Sequence, residues 1–273
     1  MQGRDRHEHT AFSPGAITNV DVTAANAARM YDYYLGGAAN FAIDRDAADQ
    51  VLALTPEVGK AARANRSFLS RAGTYLCEQG IDQFLDLGSG IPTVGNVHEI
   101  AHRQNPQARV AYVDHEPVAV AHAHSLLEGN VRTSITHADL RDVNGVLTAP
   151  GVADLLDFTR PVGLLAVGVL HFVADADDPI GILASYRAAC HPGSYLVCSH
   201  GASVTLTGVE ATTGTRLYRN TTTPITLRSH DEVTALLDGW PLVDPGLVAT
   251  NHWPHCTGEE PPVNSYSAVG HLL

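Results

Sequence analysis

Between residues 81 and 201 the chain alternates two apolar patterns. Short, nearly uninterrupted apolar runs occur within IDQFLDLGSG (81–90), ARVAYVDHEP (108–117), SITHADLRD (134–142), RPVGLLAVGVLHF (160–172) and GSYLVCSHG (193–201). Segments of about a dozen residues with helical spacing separate several of them: NVHEIAHRQN, VAVAHAHSLL and DPIGILASYRAACH. Strands that are apolar at every position are buried on both faces, as in a parallel sheet with helices on either side. Right-handed crossovers then predict a Rossmann-like, doubly wound α/β fold with a mostly parallel sheet. Beyond Gly201 the pattern predicts a capped helix in SHDEVTALLDG, a strand in LVDPGLVAT and a terminal strand in VNSYSAVGHLL, a pair that would close the sheet antiparallel.

The first 80 residues carry no strand pattern. Residues 1–22 mix charge, Gly and Pro without periodicity and read as a flexible tail. From Thr23 the alanine-rich AANAARMYDYYLGG predicts a helix stopped by Gly36 and Gly37, and a second follows with Asp44 as its cap and Pro56 as its end. A third spans roughly Lys60 to Gln79. The expected organisation is a tail (1–22), a helical lead-in or lid (23–80) and an α/β domain (81–273).

Composition narrows the function. Of 273 residues, 44% are hydrophobic and 17% charged, an ordinary globular balance, and the net charge is −12. Such a surface repels a phosphate backbone, so no nucleic-acid partner is expected. No apolar run approaches the roughly 18 residues of a membrane span and the polar N-terminus shows no secretory pattern, so a cytoplasmic protein without membrane contact is expected. The four cysteines form no CxxC pair. HEIAH at 98–102 spells a zinc-protease pattern, but no third ligand presents itself, and no metal is expected.

In doubly wound sheets ligands bind outside the carboxyl ends of the strands, where strand order reverses. At the first such end stand Asp86, Gly88, Ser89 and Gly90, whose glycines let backbone approach a ligand. A dinucleotide fingerprint would need Gly where the chain has Thr93, which disfavours pyrophosphate at this turn. Asp114 closes the second strand, where a carboxylate can accept both hydroxyls of a ribose. Asp139 closes the third, where it could meet an adenine amino group. Three acids at successive strand ends around a GxG turn form a far more specific signal than any one alone.

In the same order, FLDLGSG, YVDHEP, HADLRD, LLAVGVLHFV and PGSYLVCSH resemble the motifs of class I S-adenosylmethionine-dependent methyltransferases. More narrowly, ARMYDYYLGGAANFAIDRDAA, NRSFL, GNVHEIA, LHFVADADDP and YRNTTTPITLRSHDEV resemble the actinobacterial S-adenosyl methyltransferase family once catalogued as a domain of unknown function. The resemblance extends from about Ala24 to the end. It implies S-adenosyl-L-methionine as cofactor, with Asp86, Gly88, Ser89 and Gly90 along its methionine part, Arg66 on its carboxylate, Asp114 on the ribose, and His115, Asp139 and the Leu140 backbone at the adenine.

Methyl transfer asks the protein mainly to hold the acceptor near the methyl group and exclude water. Tyr31, Tyr34, Asn40 and Phe41, around Gly36-Gly37, are candidates for a lid and substrate contacts. His171 and His200, at the fourth and fifth strand ends, are candidate general bases. The expected activity is O- or N-methylation of a small molecule. Two other readings stay open: a cofactor-binding regulatory module without catalysis, and a nicotinamide-dependent oxidoreductase on a similar fold.

Overall fold

The computed structural model describes residues 21–92, 95–204, 215, 218, 221–254 and 260–273. Residues 1–20 of the tail expected over 1–22, Thr93 and Cys256 lie outside the described residues. Seven strands form one sheet: β1 (Gln83–Leu87), β2 (Arg109–Asp114), β3 (Thr133–His137), β4 (Gly163–Val167), β5 (Tyr195–Gly201), β6 (Val248–Ala249) and β7 (Ser265–His271). Their order is β3-β2-β1-β4-β5-β7-β6. The first five are parallel, and β7 runs antiparallel to both β5 and β6. The chain steps outward from β1 to β3 and then returns to β4 on β1's other side. The reversal opens a crevice above the carboxyl ends of β1 and β4.

Helices cover both faces. On one side α3 (Val58–Glu78), α4 (Val97–Gln104) and α5 (Pro117–Leu127) pack through Phe68, Leu76, Ile100 and Ala123 against Phe84, Val110 and Leu165. On the other, α6 (Val143–Thr148), α7 (Pro150–Ala153), α8 (Pro179–Ala189) and α9 (His230–Leu236) bring Val146, Val152, Leu183 and Val233 against Leu85, Leu87 and Leu164. Each such fully buried aliphatic side chain contributes about 1.5–3 kcal/mol. Side chains alternate along a strand, so Leu85 and Leu87 point to the second layer. Asp86 therefore shares the face of Phe84, beneath α3. Above α3, α1 (Ala27–Tyr34) and α2 (Ala42–Leu54) enclose a small core of Met30, Ala48 and Val51. Among the described residues no helix is long and apolar enough to cross a membrane.

Several predicted boundaries move, for local reasons. The first helix begins at Ala27 because Asn26 caps it, its Oδ1 accepting from the N–H of Ala28. Asp44 is not the cap of the second helix. Phe41 holds that position, and Asp44 reaches back from three residues on to accept its N–H at 2.9 Å. The strand expected over 242–250 shrinks to Val248–Ala249, because Pro245 supplies no N–H and interrupts the ladder. The short helices α6 and α7, broken by Pro150, went unpredicted.

Candidate functional site

A cavity of about 250 Å³ fills the crevice. Its floor is the loops after β1, β2, β4 and β5, and its roof is α1 with the first half of α3. On α3 the spacing of Ala62, Asn65, Arg66 and Leu69 sets all four on one helical face, and all four line the cavity. Of the residues singled out from the sequence, Tyr31, Tyr34, Arg66, Asp86, Gly88, Ser89, Gly90, Asp114, His115 and His171 line it.

The β1 and β2 tips form an acidic end. Gly88 and Gly90 adopt φ of +72° and +64°, which side-chain-bearing residues rarely do. This fold of the loop brings the Gly90 N–H to Asp114 Oδ2 at 2.7 Å, while Asp114 Oδ1 accepts from the Glu116 N–H at 2.8 Å. A Cβ at Gly88 would meet Val169 Cγ2 at 2.3 Å, whereas one at Gly90 would meet nothing within 4 Å. The first glycine thus serves packing, and the second leaves space. Burial pushes the Asp86 carboxyl up to about 7, with Arg66 pulling it down and Asp114 pushing it further up. Burial also raises Asp114, against the N–H groups of Glu116 and Gly90 and the neighbouring His115. Among the described residues the buried Ser89 Oγ has no hydrogen-bond partner.

The other end is neutral. Ser199 Oγ donates to Asn65 Oδ1 at 2.5 Å, Asn65 Nδ2 donates to the Tyr31 hydroxyl at 3.1 Å, and that hydroxyl donates to the Ala62 carbonyl at 3.1 Å. The Tyr34 and Tyr218 hydroxyls lie 3.3 Å apart. Burial raises the pKa of all three tyrosines. His171 sits not at the end of β4 but in a 3₁₀ turn beyond it, Leu170–Phe172. Its Nδ1 accepts the Gly201 N–H at 3.1 Å. Burial, His200 and Arg228 hold its pKa well below the usual histidine range. A neutral imidazole whose Nδ1 accepts carries its proton on Nε2. In this state His171 offers the cavity a donor rather than a basic lone pair.

The remaining candidates lie outside the cavity lining. His200 is fully buried with both ring nitrogens engaged: Nδ1 donates to the Gly201 carbonyl at 2.7 Å, and Nε2 accepts from Arg228 at 2.8 Å. Burial lowers its pKa to about 4. It is thus an interior neutral histidine, with no lone pair turned to the crevice. Asp139 is taken by Arg141, two residues on, whose Nε and Nη2 bind it at 3.0 and 2.6 Å. Leu140 is core, its carbonyl accepting from the Tyr186 hydroxyl at 2.9 Å. Asn40 Nδ2 donates to Asp32 at 2.8 Å and to the Gly37 carbonyl at 3.0 Å, so it fixes the loop. Phe41 packs with Ile91 and Val118 beneath the Arg29 guanidinium, 5.2 Å from its ring centre. The histidines of HEIAH have separate duties: His98 Nδ1 accepts from the Tyr112 hydroxyl at 2.8 Å, and His102 Nε2 donates to the Ala108 carbonyl at 3.0 Å.

Sequence reasoning missed the residues that brace the site. Arg29 is buried between Asp44 (2.9 Å) and Glu116 (3.3 Å) and ties the roof to the β2 tip. Arg228 binds Asp175 at 2.6 Å as well as His200. Asn65 could have been found, because it shares the face of Arg66. Arg228 carried no local signal, its partners lying 28 and 53 residues away.

The model of the S-adenosyl methyltransferase family matches residues 14–271. A protein of the DUF574 family from Streptomyces avermitilis is 36% identical, with a TM-score of 0.88 over 93% of this chain and 100% of its own. A candidate methyltransferase from Thermobifida fusca is 35% identical, with a TM-score of 0.85 over 92% of this chain and 96% of its own. An O-methyltransferase family protein from Burkholderia thailandensis shares the fold alone, at 13% identity and a TM-score of 0.52 over 79% of this chain and 58% of its own. Comparison with curated proteins finds no significant match.

Proposed function

Because the chain belongs to the S-adenosyl methyltransferase family, we propose that its crevice holds S-adenosyl-L-methionine at the acidic end and presents it to the oxygen or nitrogen of a small molecule at the neutral end. The observation that carries this reading is the convergence of Asp86, Asp114 and Arg66 on one cavity around the Gly88–Gly90 turn.

The residues fit the group. Asp86 and Arg66 offer one charge of each sign to an amino acid's ammonium and carboxylate. Asp114 has used one acceptor site on each oxygen, which leaves one apiece for a ribose diol. The buried Ser89 hydroxyl and the space beside Gly90 suit a polar ligand lying against the turn. When bound, the cofactor supplies a methyl group on positive sulfur, which moves to an acceptor lone pair as the sulfur–carbon bond breaks.

The chain's part is to orient and to exclude water. An ionised Asp86 would neutralise an ammonium, and the roof of α1 and α3 covers the crevice, where burial strengthens each electrostatic contact. At the neutral end Asn65, Tyr31 and His171 Nε2–H position the acceptor. With the His171 lone pair already committed, transfer relies on proximity and alignment, and the acceptor's proton leaves to water.

Calorimetric titration with S-adenosylhomocysteine and with NAD tests the reading. Saturable binding of the first and none of the second is expected, and Asp114→Ala should weaken it by about 1–3 kcal/mol, the cost of leaving polar partners unpaired. Binding of NAD alone, or an affinity indifferent to Asp114→Ala, would refute it.

A further inference from the structure

The charged groups that line the cavity are unevenly placed. Asp86, Asp114, His115 and Glu116 stand at the β1 and β2 tips, and Arg66 acts on Asp86. Glu116 is already committed to Arg29. Glu57 lies at the rim, its side chain 53% exposed and paired with Lys60 at 3.0 Å. Under the rest of the roof, among the described residues, the lining combines Tyr31, Tyr34, Phe172, Tyr218, Ile225 and Leu227 with aliphatic residues and with uncharged polar side chains such as Asn26, Thr55, Asn65, Thr223 and Asn264.

Several polar groups of this end are bonded within the protein. The chain of bonds from Ser199 through Asn65 and Tyr31 to the Ala62 carbonyl is complete and carries no net charge. Tyr34 and Tyr218 meet each other. His171 has one ring nitrogen occupied by Gly201 and is held neutral. A charged group moved from water into such surroundings loses its hydration and meets no opposite charge in return. An apolar ring loses nothing of the kind and gains contacts with aromatic walls.

We propose, resting on the cofactor reading above, that the methyl acceptor is an uncharged, largely apolar molecule of aromatic-ring character, bound between Tyr31, Phe172 and Leu227 and anchored by one hydroxyl or neutral amine at the His171 and Asn65 end. Carboxylated, phosphorylated and quaternary ammonium compounds are excluded as acceptors. The pocket selects on charge before it selects on shape.

The test uses the full chain saturated with sinefungin, which carries a positive amine where the cofactor carries sulfonium, so the attraction of a cationic centre for an anionic acceptor is retained. Its binding is measured first by calorimetry. Failure at that step refutes the cofactor reading and not the charge selection. The loaded protein is then titrated with 2-naphthol, 2-naphthoate and 2-naphthylmethylammonium, which share one ring system and differ in charge. 2-Naphthol should bind at least about tenfold more tightly than either ion. In a parallel measurement at neutral pH, 4-nitrophenol should lose its yellow phenolate absorbance on binding, because the neutral form is taken up. Tighter or equal binding of a charged naphthalene, no saturable binding of 2-naphthol, or retained or deepened nitrophenolate colour on binding would overturn the proposal.

Discussion

Asp86→Asn separates what this carboxylate costs the fold from what it gives the site. In the native protein burial raises its pKa from 3.8 to about 7. Native Asp86 therefore keeps its proton across a range in which the unfolded chain has released it. Where the native state binds more protons, stability falls as pH rises. The associated stability is present in full below about pH 4 and is lost as pH climbs to about 7. At about 1.4 kcal/mol for each pH unit between those values, the full displacement is worth about 4 kcal/mol. Asparagine nearly preserves the shape and cannot ionise. The stability of Asp86→Asn relative to the parent should therefore rise by about 3 kcal/mol between pH 5 and pH 8.

Urea titrations of both proteins at the two pH values, without cofactor, give this difference together with any change at Asp114, whose charge acts on Asp86; shifted groups that do not interact with Asp86 cancel because both proteins share them. Cofactor affinity should move the opposite way. If Asp86 faces the ammonium as proposed, binding of S-adenosylhomocysteine to the parent protein should weaken about tenfold per pH unit below about 7, as this carboxylate is protonated. In Asp86→Asn affinity should be low and flat over this range. Parallel stability profiles from pH 5 to pH 8 would refute the reasoning, because they would mean that the buried carboxyl titrates no differently once the chain has folded.

Other positions yield sharp expectations. Arg29→Met strands Asp44 and Glu116 inside the protein and should cost about 3–5 kcal/mol in urea unfolding, with part of the loss recovered in Arg29→Met/Asp44→Leu; a loss under 1 kcal/mol would show that the ion pair is dispensable. Gly163→Ala would place a methyl group 2.8 Å from both Leu76 and Phe84 and should cost about 1–3 kcal/mol; an unchanged melting temperature would contradict the packing described. Arg228→Ala removes the donor to His200 Nε2 and to the Val173 carbonyl, and one of the two donors to the Leu170 carbonyl, a loss of about 1–3 kcal/mol for each group left unpaired. The same change lifts a positive charge from the vicinity of His171, so its imidazole proton resonances should titrate at higher pH; no movement would show that Arg228 does not act on it.

The parallel strands were legible because burial on both faces leaves an uninterrupted apolar signature, as in GLLAV and YLVCSHG. The acidic end was legible for a related reason: strand tips place Asp86 and Asp114 at the mouth of the crevice whatever the details of the loops. Asp139 shows where that logic stops. Its position after β3 is as regular as the others, yet Arg141 lies two residues on and claims the carboxylate, a local competition already spelled in HADLRD. His200 illustrates a second limit. A strand end can point into the core as readily as into the crevice, and only Arg228, far along the chain, decides which. The neutral end was legible only in part, because its character comes from the joining of Asn65, Ser199 and Tyr31 across three separate elements.

The two buried cations, Arg29 and Arg228, clarify how the chain can maintain a cluster of carboxylates in so buried a crevice. Neither is offered to the ligand. Arg29 ties α1 and α2 to Glu116, two residues past Asp114, so the roof and the β2 tip are joined through one buried guanidinium. Arg228 performs the equivalent task on the opposite side, joining the 3₁₀ turn that holds His171 to the end of β5. With guanidinium groups bracing the walls from outside, the interior can be divided by charge, acids at one end and neutral donors at the other. Under the proposed function that division suits a methyl group carried on positive sulfur, with anionic groups toward the cofactor's ammonium and neutral ones toward the acceptor.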